Sequence, residues 1–144
     1  MNDYYYLIVA FITLITTQFA KFIIESVKNK KLIIKRFFTG SGGMPSSHSA
    51  LASGITTAIL LKLGFNSPLF ALSLVFSLIV WYDAMNHRLA SENHAITLNQ
   101  VVGEMLKHKK LKPLKEELGH DPIEVVIGII HGALIATLLF LLIK

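Results

Sequence analysis

The sequence predicts an all-α fold: a polytopic membrane bundle of about four transmembrane helices, with an additional amphipathic helix at the membrane interface. Three observations predict it. Of 144 residues, 53% are hydrophobic and 16% charged, with a mean hydropathy of +0.57, which is too apolar for most soluble domains of this size. The apolar residues gather into runs near the ~20 residues that cross a hydrocarbon core of about 30 Å. Two long polar stretches and one very short break separate those runs, and residues 1–144 read as a single integral-membrane domain.

The first run, Tyr4 to about Ile24, is expected to be a retained helix. It has no basic residues ahead of it, and Gln18 stands where a small residue would precede a cut at Ala20. The second run extends from Ser47 to about Phe65. The third has its apolar part from Pro68 to about Tyr82 and a polar end reaching residue 87. Only Asn66 and Ser67 divide these two, which predicts a tight helical hairpin. The last, Pro122 to Ile143, is the clearest span. Residues 28–44 are basic and then glycine-rich, and residues 88–121 carry mixed charge. Within the latter, Ile96, Leu98, Val101, Val102, Met105 and Leu106 suit a helix over Ala90 to Leu106 that lies at the interface or caps the bundle.

Charge sets the expected orientation. Lys28, Lys30, Lys31, Lys35 and Arg36 follow the first helix, while Arg88, Lys107, Lys109, Lys110, Lys112 and Lys115 follow the third; together these are 11 of the 14 basic residues. The positive-inside rule then places both polar stretches in the cytoplasm and both termini outside. The net charge of +5 is broken up by apolar runs and lacks the aromatic and basic patterning of a nucleic-acid surface. Membrane lipids and phosphorylated molecules are the expected partners. With no cysteine, disulfides and thiolate metal sites are excluded.

In this orientation Lys21, His48, Asp83, His120 and Glu124 all fall at the cytoplasmic level of the bundle. Ionisable residues at membrane depth are costly and mark functional sites, although helix ends also carry charges for ordinary reasons. The run Gly40-Ser41-Gly42-Gly43-Met44-Pro45-Ser46-Ser47-His48 combines flexible glycines, a stiff proline and a capping serine ahead of an apolar helix. Free N–H groups at such a helix start cradle phosphate, and His48 could donate a proton to what they hold. In Gly119-His120-Asp121-Pro122-Ile123-Glu124, a helical i, i+4 spacing would let Glu124 accept from one nitrogen of His120 and leave the other as a nucleophile or base. A helix-start ion pair is the plainer reading of the same spacing. In Trp81-Tyr82-Asp83-Ala84-Met85-Asn86-His87-Arg88, Asp83 could pair with Arg88. The only arginines, Arg36 and Arg88, flank the same level, where a guanidinium fork matches phosphate oxygens.

The runs GGMPSSHSA, WYDAMNHR, the tract ending in TLN, and ELGHDPIEVVIG resemble the divergent branch of the type 2 phosphatidic acid phosphatase family. That branch is often labelled acid phosphatase or vanadium-dependent haloperoxidase-related. The resemblance runs from about Gln18 to Gly132. It implies His120 as nucleophile, Glu124 as its orienting partner, His48 as general acid, and Ser46, Ser47, Lys21, Arg36 and Arg88 as phosphate ligands, with Asp83 in support. The chain departs from the wider family in the spacing of Lys21 and Arg36 and in having Leu114 where an arginine would precede His120. The implied activity is metal-independent hydrolysis of a lipid phosphate monoester in a bacterial cell membrane, with no cofactor.

A noncatalytic protein that binds or carries phospholipid or isoprenoid phosphates is the alternative. A metal site is a third reading, since Asp83 and His87 are four residues apart and His94 follows; an ordinary structural role is preferred for all three, and no metal is expected. His108 reads as a solvated interfacial charge. His131, between Gly128 and Gly132, is expected to bond a neighbouring helix, and the Gly128-x-x-x-Gly132 step could support a homo-oligomer.

Overall fold

The computed structural model describes residues 4–30, 43–105, 114 and 121–143, without the side chains of residues 87–89, 92 and 103–105. All regular structure among them is helical: α1 (Tyr5–Lys28), α2 (Ser47–Leu63), α3 (Pro68–Met85), α4 (His87–Met105) and α5 (Pro122–Leu142). Helices α1, α3 and α5 are long and apolar enough to cross a membrane. Helix α2 has 17 residues, about 26 Å of rise, and does not meet that length, so the expected fourth span is not among these three.

Local chemistry sets the boundaries. Helix α2 stops at Gly64, whose φ of 81° is open to glycine at little cost and whose N–H donates to Leu60 O. Three residues later Ser67 caps α3, its Oγ accepting from Leu69 N at 3.2 Å with Pro68 opening the helix. The tight hairpin expected at Asn66 and Ser67 is therefore present. Asn86 alone separates α3 from α4, so Asp83 and His87 lie on different helices and the i, i+4 spacing behind the metal reading does not hold.

Contacts fix the register of the bundle. Tyr5 and Val9 of α1 pack with Ala58 of α2 and Ala136 of α5. Farther along α1, Thr13 lies against Gly54, and Thr16 Oγ1 is 3.1 Å from His131 Nε2. Trp81 Nε1 donates to Ser49 O at 3.4 Å, and Thr56 Oγ1 pairs with Ser77 Oγ at 2.8 Å. Ser46 N donates to Glu124 O at 3.0 Å. Helices α1 and α3 thus run antiparallel to α2, and α5 runs parallel to it. Helices α1 and α3 both pack on the α2–α5 pair and do not contact each other.

The seam between α2 and α5 is built from small residues. A Cβ on Gly132 would overlap the Ala50 carbonyl and come within 2.9 Å of Gly54 N. Gly128 and Gly132 are buried in this seam, so the self-association step expected of them is used within the chain. Apolar side chains confer little mutual attraction in lipid, and close backbone approach with interhelical hydrogen bonds replaces it. Ser53 Oγ donates to Ile129 O at 2.7 Å across the same seam. Thr16 Oγ1 lies 2.9 Å from Ile12 O; donating there, it accepts from His131 Nε2, the interhelical bond expected of that histidine. The large side chains Leu7, Phe11, Phe76, Ile79, Ile130 and Leu134 point outward, where lipid covers them. At the end away from Ser46, Lys62 Nζ sits 4.7 Å from the Tyr5 ring centroid and 5.2 Å from that of Tyr6, a cation–π anchor.

The amphipathic helix appears as α4, but among the described elements it touches only α3. It does not cap the bundle. Leu98 and Val101 on it are 50% and 45% exposed, an apolar surface suited to the membrane interface.

Gly132→Ala is expected to destabilise the protein by about 1–3 kcal/mol or more, because rigid backbone fills the space it needs. Gly54→Ala should cost less, since its nearest neighbour, Thr13 Oγ1 at 3.0 Å, is a side chain that can yield. Thermal unfolding of the two variants in one detergent compares them.

Candidate functional site

The register carries the C-terminal part of α1, the start of α2, the end of α3 and the start of α5 to one end of the bundle. Lys21 is the last member of the inward stripe Tyr5, Val9, Thr13, Thr17 and Lys21. It is 3% exposed and lies two helical turns before the end of α1 at Lys28. An ammonium buried at that depth is costly unless charge or hydrogen bonds compensate it. Its burial therefore marks this end as polar inside.

The segment before α2 is seated on α5. Gly43 has φ 78° and the Met44–Pro45 peptide is cis. Pro45 and Ser46 are buried, and the Ser46 N–H bond to Glu124 O joins the start of α2 to the start of α5. The fit depends on Gly128: a Cβ there would stand 2.6 Å from Ser46 O and 3.2 Å from Ser49 Cβ. Ser46 occupies the N-cap position, but its hydroxyl makes no capping bond. It instead accepts from Ser49 Oγ at 2.9 Å, while Ser49 O receives the Trp81 indole.

Neighbouring serines are thereby set apart. Ser46 is fully enclosed and bonded. Ser47 is 8% exposed and its hydroxyl has no hydrogen-bond partner among the described residues, as is also true of Tyr5 Oη, Thr13 Oγ1 and Gln18 Oε1. His48, one residue on, is exposed. First-turn N–H groups of a helix have no intrahelical acceptors, so Ser47 sits among donors suited to an anion.

At the start of α5, Asp121 has an extended backbone (φ −61°, ψ 146°) and Pro122 opens the helix. Glu124 is its half-buried third residue. The helix begins at Pro122, which puts Glu124 in its first turn; His120, and with it the expected pairing with Glu124, lies outside the described residues. So do Arg36 and the Arg88 side chain, and with the latter its expected pairing with Asp83. Asp83 is half-buried near the end of α3, two residues after Trp81. Of the expected residues, the structure thus brings Lys21, Ser46, Ser47, His48, Asp83 and Glu124 to one level of the bundle.

Three supporting residues were not legible as such. Ser49 lies three positions after Ser46, a spacing that puts both on one face of a helical turn, and Gly128 is four after Glu124. Trp81 stood in a motif but gave no sign of its partner.

Comparison with known proteins follows the same residues. A family model described as the divergent PAP2 family matches residues 2–135. An uncharacterized membrane protein of Bacillus subtilis strain 168, YuiD, is 34% identical over 139 residues, covering 88% of this chain and 87% of the relative. No solved structure matches.

The two serines predict opposite stability effects. Ser46→Ala removes the acceptor of Ser49 Oγ and should cost about 1 kcal/mol. Ser47→Ala removes an unpaired buried hydroxyl and should leave the melting temperature unchanged or raised, while weakening protection of the protein by vanadate or phosphate. Thermal shift with and without each anion measures both.

Proposed function

The chain belongs to the divergent PAP2 family, and from that membership and the geometry above we propose that it is a membrane phosphatase hydrolysing a lipid phosphate monoester through a phosphohistidine. The observation that carries the reading is the Ser46 N to Glu124 O bond. It fastens the serine-rich helix start to the segment that follows His120, at the level of buried Lys21.

In this mechanism Lys21, the Ser47 hydroxyl and the first-turn N–H groups of α2 hold the phosphate oxygens, joined by Arg36 and Arg88. Ser46 shapes the cradle from behind. A ring nitrogen of His120, oriented by Glu124, attacks phosphorus as the bond to the alkyl oxygen breaks, and His48 gives its proton to the departing alkoxide. His48 then takes a proton from water, which attacks phosphorus, breaks the P–N bond and releases inorganic phosphate. Fixed cations and N–H groups stabilise the charge on the equatorial oxygens, so no step calls for a metal. Asp83 supports the cationic cluster from α3.

A site at the ends of membrane helices suits a phosphate attached to a lipid. The Lys and Arg excess in the two polar stretches puts that end on the cytoplasmic side, with α2 as a fourth crossing enclosed by its neighbours. The whole chain is then one integral-membrane domain of a bacterial cell membrane.

Purified protein assayed for phosphate release from phosphatidate, phosphatidylglycerophosphate and polyprenyl phosphate should be active on at least one. His120→Ala should abolish release and His48→Ala reduce it about 10²–10⁴-fold. Activity should survive EDTA and be inhibited by vanadate; strict Mg²⁺ dependence would overturn the mechanism. A wild type that binds these lipids yet hydrolyses none supports the noncatalytic carrier instead. For sidedness, the natural absence of cysteine makes single reporters clean. Asn29→Cys should react with an impermeant thiol reagent only from the cytoplasmic side and Asn66→Cys only from outside, and the reverse pattern would invert the topology.

A further inference from the structure

Helices α2 and α3 each have a serine at the capping position, and the two serines behave differently. Ser67, ahead of α3, has φ −73° and ψ 128°, and its Oγ accepts from Leu69 N at 3.2 Å. Ser46, ahead of α2, has nearly the same backbone, φ −65° and ψ 117°, yet its hydroxyl makes no capping bond. The backbone at Ser46 is therefore ready for a cap, and rotation about one side-chain torsion would complete it. What differs is the residue three positions on. After Ser67 it is Phe70; after Ser46 it is Ser49, whose Oγ donates to Ser46 Oγ at 2.9 Å.

That bond is held from two sides. A Cβ on Gly128 would stand 3.2 Å from Ser49 Cβ and 3.3 Å from Ser46 Cβ, so both serines rest on the bare backbone of α5. From the other side the Trp81 indole donates to Ser49 O at 3.4 Å and ties Ser49 to α3. Each polar atom of Ser46 is engaged elsewhere: its N–H donates to Glu124 O, its carbonyl accepts from Ala50 N, and its hydroxyl accepts from Ser49. The first-turn N–H groups of Ser47 and Ser49 consequently have no acceptor among the described residues. The same turn carries the Ser47 hydroxyl, 8% exposed and also without a partner among them, and the Lys21 ammonium, 3% exposed, lies at its level. At the start of α5 Asp121 makes no capping bond either, but it is exposed and no described side chain holds it aside. At α2 the cap-ready group is drawn away by a neighbour.

We propose that Ser49 is a positioning residue for phosphate binding: by holding the Ser46 hydroxyl off the first turn of α2, it keeps the N–H groups there open to a phosphoryl group. The chain forgoes the stabilisation of a capped helix at this serine. In exchange, open donors at a helix start stand beside a buried ammonium, an arrangement suited to phosphate oxygens. The inference rests on the phosphate-binding part of the proposed function and not on the hydrolytic step. Loss of the Ser49 hydroxyl would release Ser46 Oγ to accept from Ser49 N, a donor that a capping serine takes. The helix would gain a cap, and a hydroxyl oxygen would stand where a phosphate oxygen binds.

Wild type, Ser49→Ala, Ser46→Ala and Ser46→Ala/Ser49→Ala, purified in one detergent, are each titrated with inorganic phosphate, vanadate and a short-chain phosphatidate, with affinities taken from ligand-dependent melting. Without ligand, Ser49→Ala should melt at or above the wild-type temperature, yet it should bind the phosphoryl ligands about tenfold or more weakly. On the Ser46→Ala background, adding Ser49→Ala should change affinity by less than about twofold, since no hydroxyl remains to form the cap. Wild-type affinity in Ser49→Ala, a melting temperature well below wild type, or a double variant that loses as much relative to Ser46→Ala as Ser49→Ala loses relative to wild type each overturns the role. Binding of phosphatidate without inorganic phosphate supports a lipid-borne phosphoryl group as the occupant, and equal binding supports the phosphoryl group from either source. A wild type that binds none of the three overturns the inference together with the phosphate site. A wild type that binds them with this dependence on Ser49 and Ser46, yet hydrolyses no lipid phosphate, overturns the phosphatase reading and upholds the role of Ser49.

Discussion

The close approach of α2 and α5 is the constraint from which the rest of the structure follows. It exists because Gly128 and Gly132 present bare backbone to Ser46 and Ala50. The same approach brings Ser53 Oγ to Ile129 O and Ser46 N to Glu124 O. A slip of α5 along α2 would move Gly128 and Gly132 away from Ser46 and Ala50 and set Cβ-bearing residues against that backbone. The register of the seam, and with it the alignment of the two polar motifs, is therefore fixed sterically along the length of the bundle and not by the polar residues at its end.

Packing against this seam explains the distribution of polar groups. In lipid, burying a hydrocarbon surface confers almost nothing on helix association, whereas a hydroxyl without a partner is costly. A hydroxyl or ring nitrogen accordingly crosses at three of the helix contacts: Thr16 with His131, Thr56 with Ser77, Ser53 with Ile129 O. The large aliphatic and aromatic side chains face outward. Ser47 breaks the pattern, its buried hydroxyl having no partner among the described residues, as is also true of Tyr5 Oη, Thr13 Oγ1 and Gln18 Oε1. What sets the Ser47 end apart is the Lys21 ammonium buried at the same level. At the Tyr5 end the cation, Lys62, rests on aromatic rings.

Much of this was legible in the sequence, for physical reasons that differ by element. Hydropathy and length exposed the apolar helices. Ser67-Pro68 marked a helix start, and the isolated His131 between small residues signalled a helix contact. Partners were less legible. The Gly128 and Gly132 spacing announces a surface that another backbone can approach, but the identity of that backbone is a tertiary fact, and it proved to be α2 of the same chain. Pro122 favours the first helical position, and the last helix does begin there, with Asp121 as its cap. The amphipathic spacing found α4 but could not tell that, among the described helices, it would rest on α3 alone. Nor does an asparagine in a polar tract reveal that it bonds a residue fifteen positions away, as Asn99 does Leu114.

Parallel packing of α2 and α5 has an electrostatic consequence that bears on the proposed activity. Antiparallel neighbours offset one another's macrodipoles; parallel ones place two positive ends together, each equivalent to about half a charge. Here those two N-termini are bonded to one another at Ser46 and Glu124, so neither can move away. The opposing C-terminus of α1 lies beyond the site, two turns past Lys21, which leaves α3 as the only described helix whose negative end is close by. Two positive helix ends therefore meet beside the buried Lys21 ammonium, with the carboxylates of Asp83 and Glu124 at the same level. Under the proposed function the phosphoryl group of a lipid is the anion that these helix ends would receive. On that proposal the glycine seam does more than hold the bundle together: by forcing two like dipole ends to meet, it creates a field that would stabilise a phosphate, and still more the charge spread over its oxygens during transfer.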